Sequence, residues 1–167
     1  MIQSICDLQQ SDQKQITEQL YCQALNLHKA GQFTAAEEKY QQVLQRDRLS
    51  VDAWQNLGTL YYAAERYREA QDVLRECLQI DPSVAGAHYS LGLVLEKTGD
   101  VISAVRADRE AIALNPNCFD AYNNLGNIFG QIGDRDRAES IYREAIAVNP
   151  DHFGSYLFFW ILGCNCK

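Results

Sequence analysis

Prolines stand at positions 82, 116 and 150, each 34 residues after the last. Three Leu-Gly pairs keep the same step: Leu57-Gly58, Leu91-Gly92 and Leu125-Gly126. So do Ala70, Ala104 and Ala138, and so do Asp81, Asn115 and Asn149 directly before the prolines. Four marker types at one period make the chain an array of a repeated supersecondary unit. A unit of this length cannot bury its own apolar face, so its core must come from stacking on its neighbours.

Each unit reads as two amphipathic helices joined by a short turn. In the second unit the first helix is expected from about Val51 to Ala64 and the second from about Arg68 to Ile80. Gly31, Gly99 and Gly133 occupy the turn, where glycine takes a positive φ cheaply. Glu65 stands there in the second unit, and a different turn conformation is expected for it. Pro82, Pro116 and Pro150 end the second helices, because proline has no N–H to continue them. Ala24, Gly58, Gly92 and Gly126 are expected to face Ala36, Ala70, Ala104 and Ala138, so that the two helices approach closely.

These markers resemble the tetratricopeptide repeat (TPR) family, whose pattern holds Trp, Leu, Gly, Tyr, Ala, Phe, Ala and Pro at repeat positions 4, 7, 8, 11, 20, 24, 27 and 32. Residues 51–84 supply Trp54, Leu57, Gly58, Tyr61, Ala70, Leu74, Cys77 and Pro82. Residues 85–118 supply His88, Leu91, Gly92, Leu95, Ala104, Asp108, Ala111 and Pro116. Residues 119–152 supply Tyr122, Leu125, Gly126, Phe129, Ala138, Tyr142, Ala145 and Pro150. Residues 17–50 form a degenerate first repeat, with Leu20, Ala24, Ala36, Tyr40 and Arg48 at the matching places. The resemblance implies an all-α fold, a right-handed superhelix of about four helix-turn-helix repeats whose concave face is lined by the first helix (helix A) of each. Asp108 departs from the aromatic pattern and should loosen packing there unless it turns outward.

The ends differ from the repeats. Residues 1–16 read as a polar N-terminal segment able to form part of a helix, with Ser11 or Asp12 as its N-cap. Residues 153–167 begin like a fifth helix A and then lose the pattern in the apolar run 156–163, YLFFWILG. Two readings stand: an incomplete fifth repeat of a longer array, or an apolar tail that docks on the last repeat or on another chain and drives self-association.

Charge narrows the partners. Fifteen Lys and Arg against twenty-two Asp and Glu give a formal net charge of −7, which disfavours nucleic acid. The polar N-terminus lacks a signal-peptide core, and the eight-residue apolar run is too short to span a bilayer, which needs about 20 residues. The chain therefore reads as cytoplasmic, with reduced cysteines. Cys164 and Cys166 near His152 lack the second ligand pair of a structural zinc site, so no metal or cofactor is expected. His28, His88 and His152 fall apart in the repeat frame, no catalytic set or phosphate-binding loop is present, and the chain is not read as an enzyme.

Function is expected on the concave face. The family's carboxylate clamp needs Lys, Asn, Asn, Lys and Arg across three repeats. Here the five places hold Tyr21, Leu25, Asn56, Gly86 and Ser90 in one window and Gln55, Thr59, Ser90, Asp120 and Asn124 in the next, so capture of a free carboxylate is not expected. The position-6 asparagines Asn56 and Asn124 instead resemble the asparagine ladder of O-linked N-acetylglucosamine transferases, in which side-chain amides read an extended peptide backbone. The expected partner is a protein or peptide segment in a groove lined by Asn56, Tyr89, Asn123, Asn124 and Asn127. The leading reading is a non-catalytic scaffold or adaptor. The alternative is the N-terminal recognition region of a longer TPR-containing enzyme such as a glycosyltransferase.

Overall fold

The computed structural model of the protein describes residues 2–149. The apolar run 156–163, His152 and the two C-terminal cysteines lie outside the described residues. Those residues form eight α-helices and no strand: α1 (Ile2–Lys29), α2 (Phe33–Arg46), α3 (Val51–Ala63), α4 (Tyr67–Ile80), α5 (Ala85–Thr98), α6 (Val101–Leu114), α7 (Phe119–Gln131) and α8 (Arg135–Val148). The helices of the second repeat begin and end within a residue of the sequence expectation. Ser11 and Asp12 lie inside α1 rather than at its start, so residues 2–16 prolong the first helix without a break.

Contacts divide the described residues into two compact units, with the boundary after residue 82. In the first, α1 packs on α2, α3 on α4 and α2 on α3, and α1 also touches α3. In the second, α5 packs on α6, α7 on α8 and α6 on α7, and α5 also touches α7. Within each unit the two A helices are thus direct neighbours, which places helix-A side chains of consecutive repeats on one surface.

All four hairpin turns share one conformation. Gly31, Gly99 and Gly133 have φ of 72°, 86° and 81°, and Glu65 joins them at 59°. The turn is closed each time by the residue after the left-handed one, whose N–H donates to the carbonyl five residues back, as Arg66 does to Tyr61 at 2.8 Å and Asp100 to Leu95 at 2.9 Å. The glutamate does not change the turn, contrary to the sequence expectation. The helix-closing hydrogen bonds are the same at all four sites, so the backbone imposes the left-handed state and Glu65 bears its strain.

The ends of the second helices are also alike. Asp47, Asp81, Asn115 and Asn149 all leave the helix with extended backbone, φ between −132° and −148°. Asp47 Oδ1 accepts from the Leu49 N–H, and Asn115 Oδ1 from the Asn117 N–H, both at 3.0 Å. The first repeat ends this way with Arg48 in the place of proline, so the short acceptor side chain is the feature common to these two turns. The Arg48 carbonyl in turn accepts from Trp54 Nε1 at 2.8 Å, which ties α3 to the preceding turn.

The cores are built from the repeat markers. In the first unit Ala24, Ala36, Tyr40, Leu60, Ala70, Leu74 and Cys77 are fully buried. In the second, Tyr122, Leu125, Phe129, Ile141 and Tyr142 form one cluster, and Leu95, Ala104, Ala107 and Ile128 another. The atoms closest to Gly58, Gly92 and Gly126 are those of Leu74, Asp108 and Tyr142, and a Cβ at any of these glycines would collide with them. The missing side chain at position 8 therefore makes room for the residue at position 24, where the sequence pointed to the alanine at position 20. Arg66 adds a polar clasp in the first unit. Its guanidinium pairs with Glu37 on α2 and Glu69 on α4 and lies 4.2 Å above the Tyr61 ring.

Candidate functional site

In the first unit the helix-A surface is organised by Asn56. Its Nδ2 donates to Tyr21 Oη at 2.9 Å and to the Asp52 carbonyl at 2.8 Å, which joins α3 to α1 across the repeat boundary. Tyr21 also stacks edge-on against Tyr40, with ring centroids 6.2 Å apart. Burial and the neighbouring Asp52 raise the Tyr21 hydroxyl above its ordinary pKa, so the phenol stays protonated. A groove of about 560 Å³ opens beside this pair, with Glu18, Tyr21 and Asp52 among its walls. Helix α1 faces it with Lys14, Thr17, Glu18 and Tyr21, which share one stripe of the helix.

In the second unit Tyr89 stands on α5, and Asn123, Asn124 and Asn127 stand on α7. Tyr89 and Asn123 are half-buried, and Asn127 is exposed. Asn127 Oδ1 accepts from Tyr142 Oη at 3.3 Å. Asn124 is only 7% exposed, and its Nδ2 donates to Asp108 Oδ2 at 2.7 Å. Four of the five expected residues therefore share one unit, and Asn56 belongs to the other. Sequence reasoning missed Asp108 as part of this site and treated it as a packing fault. It is fully buried and turned inward, where Gly92 makes room for its carboxyl group.

Two thiols and a histidine are held unreactive by burial. Burial pushes the Cys77 thiol up to about 11 and raises that of Cys118, which removes the thiolate a nucleophile requires. Burial lowers the pKa of His28, whose Nδ1 lies 3.4 Å from Tyr40 Oη, so the ring serves as a packed neutral group. Among the described residues no cluster of His, Cys, Asp and Glu could hold a metal ion, and no helix is long and apolar enough to cross a membrane.

Models of the tetratricopeptide repeat match residues 27–88, 85–118 and 119–152. No curated protein sequence matches the chain. Among solved structures the chain is similar to MamA, at 24% identity and a TM-score of 0.75 over 81% of this chain and 80% of that one. It is also similar to an O-GlcNAc transferase mutant from Thermobaculum terrenum, at 24% identity and a TM-score of 0.75 over 81% of this chain and 26% of that one. A third likeness is to the first TPR of Spaghetti (RPAP3) bound to the HSP90 peptide SRMEEVD, at 18% identity and a TM-score of 0.68 over 71% of this chain and 94% of that one. At these identities the structural likenesses carry the fold, an all-α solenoid of helix hairpins. With repeat models running without a gap from residue 27 to residue 152, the chain belongs to the tetratricopeptide repeat family.

Proposed function

We propose that the chain is a non-catalytic scaffold or adaptor that binds an extended segment of a partner protein on the helix-A surfaces of its repeats. The residues assigned to this surface are Asn56, Tyr89, Asn123, Asn124 and Asn127. The observation that carries the reading is the groove of about 560 Å³ in the first unit, walled by α1 from Gln13 to Tyr21, by the end of α2 and the turn after it, and by Asp52 of α3; Asn56 holds its Tyr21 wall in place. Amides suit a sequence-tolerant reader, because each can donate to a peptide carbonyl and accept from a peptide N–H.

Charge gives the reading a direction. Repeat position 2 holds Glu18, Asp52, Gly86 and Asp120, and the third repeat of a clamp for acidic C-termini needs a lysine there, where the two possible windows hold Gly86 and Asp120. Three carboxylates, Glu18, Asp47 and Asp52, line the groove against two cations, Lys14 and Arg46, which leaves it with an excess of one negative charge. The preferred segment is therefore neutral or basic, since an acidic tail would meet like charge.

The test is an array of short immobilised peptides of random sequence, probed with the wild-type chain and with Asn56→Ala/Asn123→Ala/Asn127→Ala, which alters the helix-A residues of both units. Peptides selected by the wild type are expected to bind the variant at least about tenfold more weakly, a loss of about 1.4 kcal/mol. Unchanged affinity in a variant of unchanged helicity would move the site off this surface. The asparagine-bearing repeats motivate a second reading, the recognition region of a longer enzyme. It uses the same surface and is separated from the first by the intact mass of the native protein, which it requires to exceed 18.9 kDa by the size of a catalytic domain.

A further inference from the structure

Asp108 occupies repeat position 24, where the other repeats hold Tyr40, Leu74 and Tyr142. It is fully buried, and its Oδ1 lies against Gly92 with no hydrogen-bond partner among the described residues. The carboxyl group therefore makes one polar contact, from Oδ2 to the Nδ2 of Asn124 at 2.7 Å. Asn124 is itself 7% exposed and belongs to the position-6 row of the helix-A surface. The buried acid thus reaches that surface through a single side-chain amide.

This contact has a different polarity in each protonation state. An ionised carboxylate can only accept, so it takes an Asn124 N–H and leaves the amide oxygen turned the other way. A carboxyl protonated on Oδ2 gains an O–H that needs an acceptor, and the Asn124 amide supplies one by turning over and offering its oxygen inward. Putting the proton on Oδ1 instead would place the O–H against Gly92, at the oxygen that has no hydrogen-bond partner, and a buried unmade hydrogen bond costs about 1–3 kcal/mol.

We propose that Asp108 is a positioning residue for the helix-A surface: its protonation sets whether Asn124 turns an acceptor or a donor toward a bound peptide backbone. The inference rests on the reading of that surface as a peptide-binding one. Burial is the main force that pushes the Asp108 carboxyl up to about 7, with Glu96 on α5 adding to it and the Asn124 hydrogen bond opposing it. The other titratable group coupled to it is the Cys118 thiol at the start of α7, which burial keeps protonated and which carries no charge to counter this. The turnover therefore falls in the neutral range, far above that of an ordinary carboxylate.

The test follows the side-chain amide of Asn124 by proton–nitrogen correlation spectroscopy of the labelled full chain across the neutral range. The wild type is expected to show a change with its midpoint near pH 7. Asp108→Asn is expected to abolish it. Asp108→Leu supplies the residue found at the same repeat position as Leu74 and keeps the test open if the amide variant does not fold; it too is expected to lack the midpoint. An Asn124 signal that does not titrate, or that titrates alike in the wild type and a folded variant, overturns the proposal. The readout contains no peptide, so a failure to find a peptide partner and a failure of this proton coupling are separate results.

Discussion

Glu65 holds the left-handed backbone conformation that Gly99 holds one repeat later, with φ of 59° against 86°. A side chain in this region costs about 1–2 kcal/mol relative to glycine. Glu65→Gly should therefore stabilise the chain by about 1 kcal/mol, after allowance for the greater freedom of an unfolded glycine. Gly99→Ala should cost about as much in the opposite direction, through the backbone alone, because nothing lies within 4 Å of a Cβ placed there. Urea unfolding of the two variants checks both signs.

Gly126 answers to a different constraint. Its φ is ordinary, but a Cβ there would strike the Tyr142 ring, a member of the main cluster of the second unit. Gly126→Ala should destabilise by about 1–3 kcal/mol through overpacking. Combining it with Tyr142→Leu, the side chain that Gly58 faces as Leu74, should recover part of the loss. A double-mutant cycle on thermal unfolding measures the coupling.

The buried acid gives stability a dependence on pH. Folding raises the Asp108 pKa from its ordinary 3.8 to about 7, so the folded chain binds that proton more tightly than the unfolded one. The resulting stability is complete below the ordinary carboxylate range and is lost as pH rises to and through about 7. The urea midpoint of the wild type should fall over that window. In Asp108→Leu the fall should vanish, and at about pH 8 the variant should be the more stable by about 1–2 kcal/mol, because it no longer buries an ionised group with an unpartnered oxygen.

Charge on the helix-A residues predicts discrimination among peptides. The acidic peptide SRMEEVD should bind more weakly than about 1 mM, whereas a peptide of the same length with lysines in place of its acidic residues should bind more tightly. Isothermal titration at low and high salt checks the order, and the preference should shrink as salt screens it.

The 34-residue step was legible because it repeats residue types that each have one physical job: a small side chain beneath a bulky one, a helix stop, a tight turn. Helix boundaries followed from it, as in α3 and α4. The Glu65 turn was not legible, because a residue's own preference says nothing of the hydrogen bonds that force it into a strained state. Asp108 was legible only as a departure from pattern. Its inward orientation depends on Gly92 across the helix pair and on Asn124 in the next repeat, a meeting of three positions that no single repeat contains. The candidate surface was named through the family frame. The structure adds that Asn56 is already held by Tyr21 and Asn124 by Asp108, whereas Asn127 stays exposed.

The central claim is that partner binding uses the helix-A surfaces. The most direct measurement is a map of amide chemical-shift changes in the labelled full chain on adding a peptide selected from the array. The account predicts changes concentrated on α1, α3, α5 and α7, including the side-chain amides of Asn123 and Asn127. Changes confined to α2, α4, α6 and α8 would contradict it and assign recognition to the second helices of the repeats.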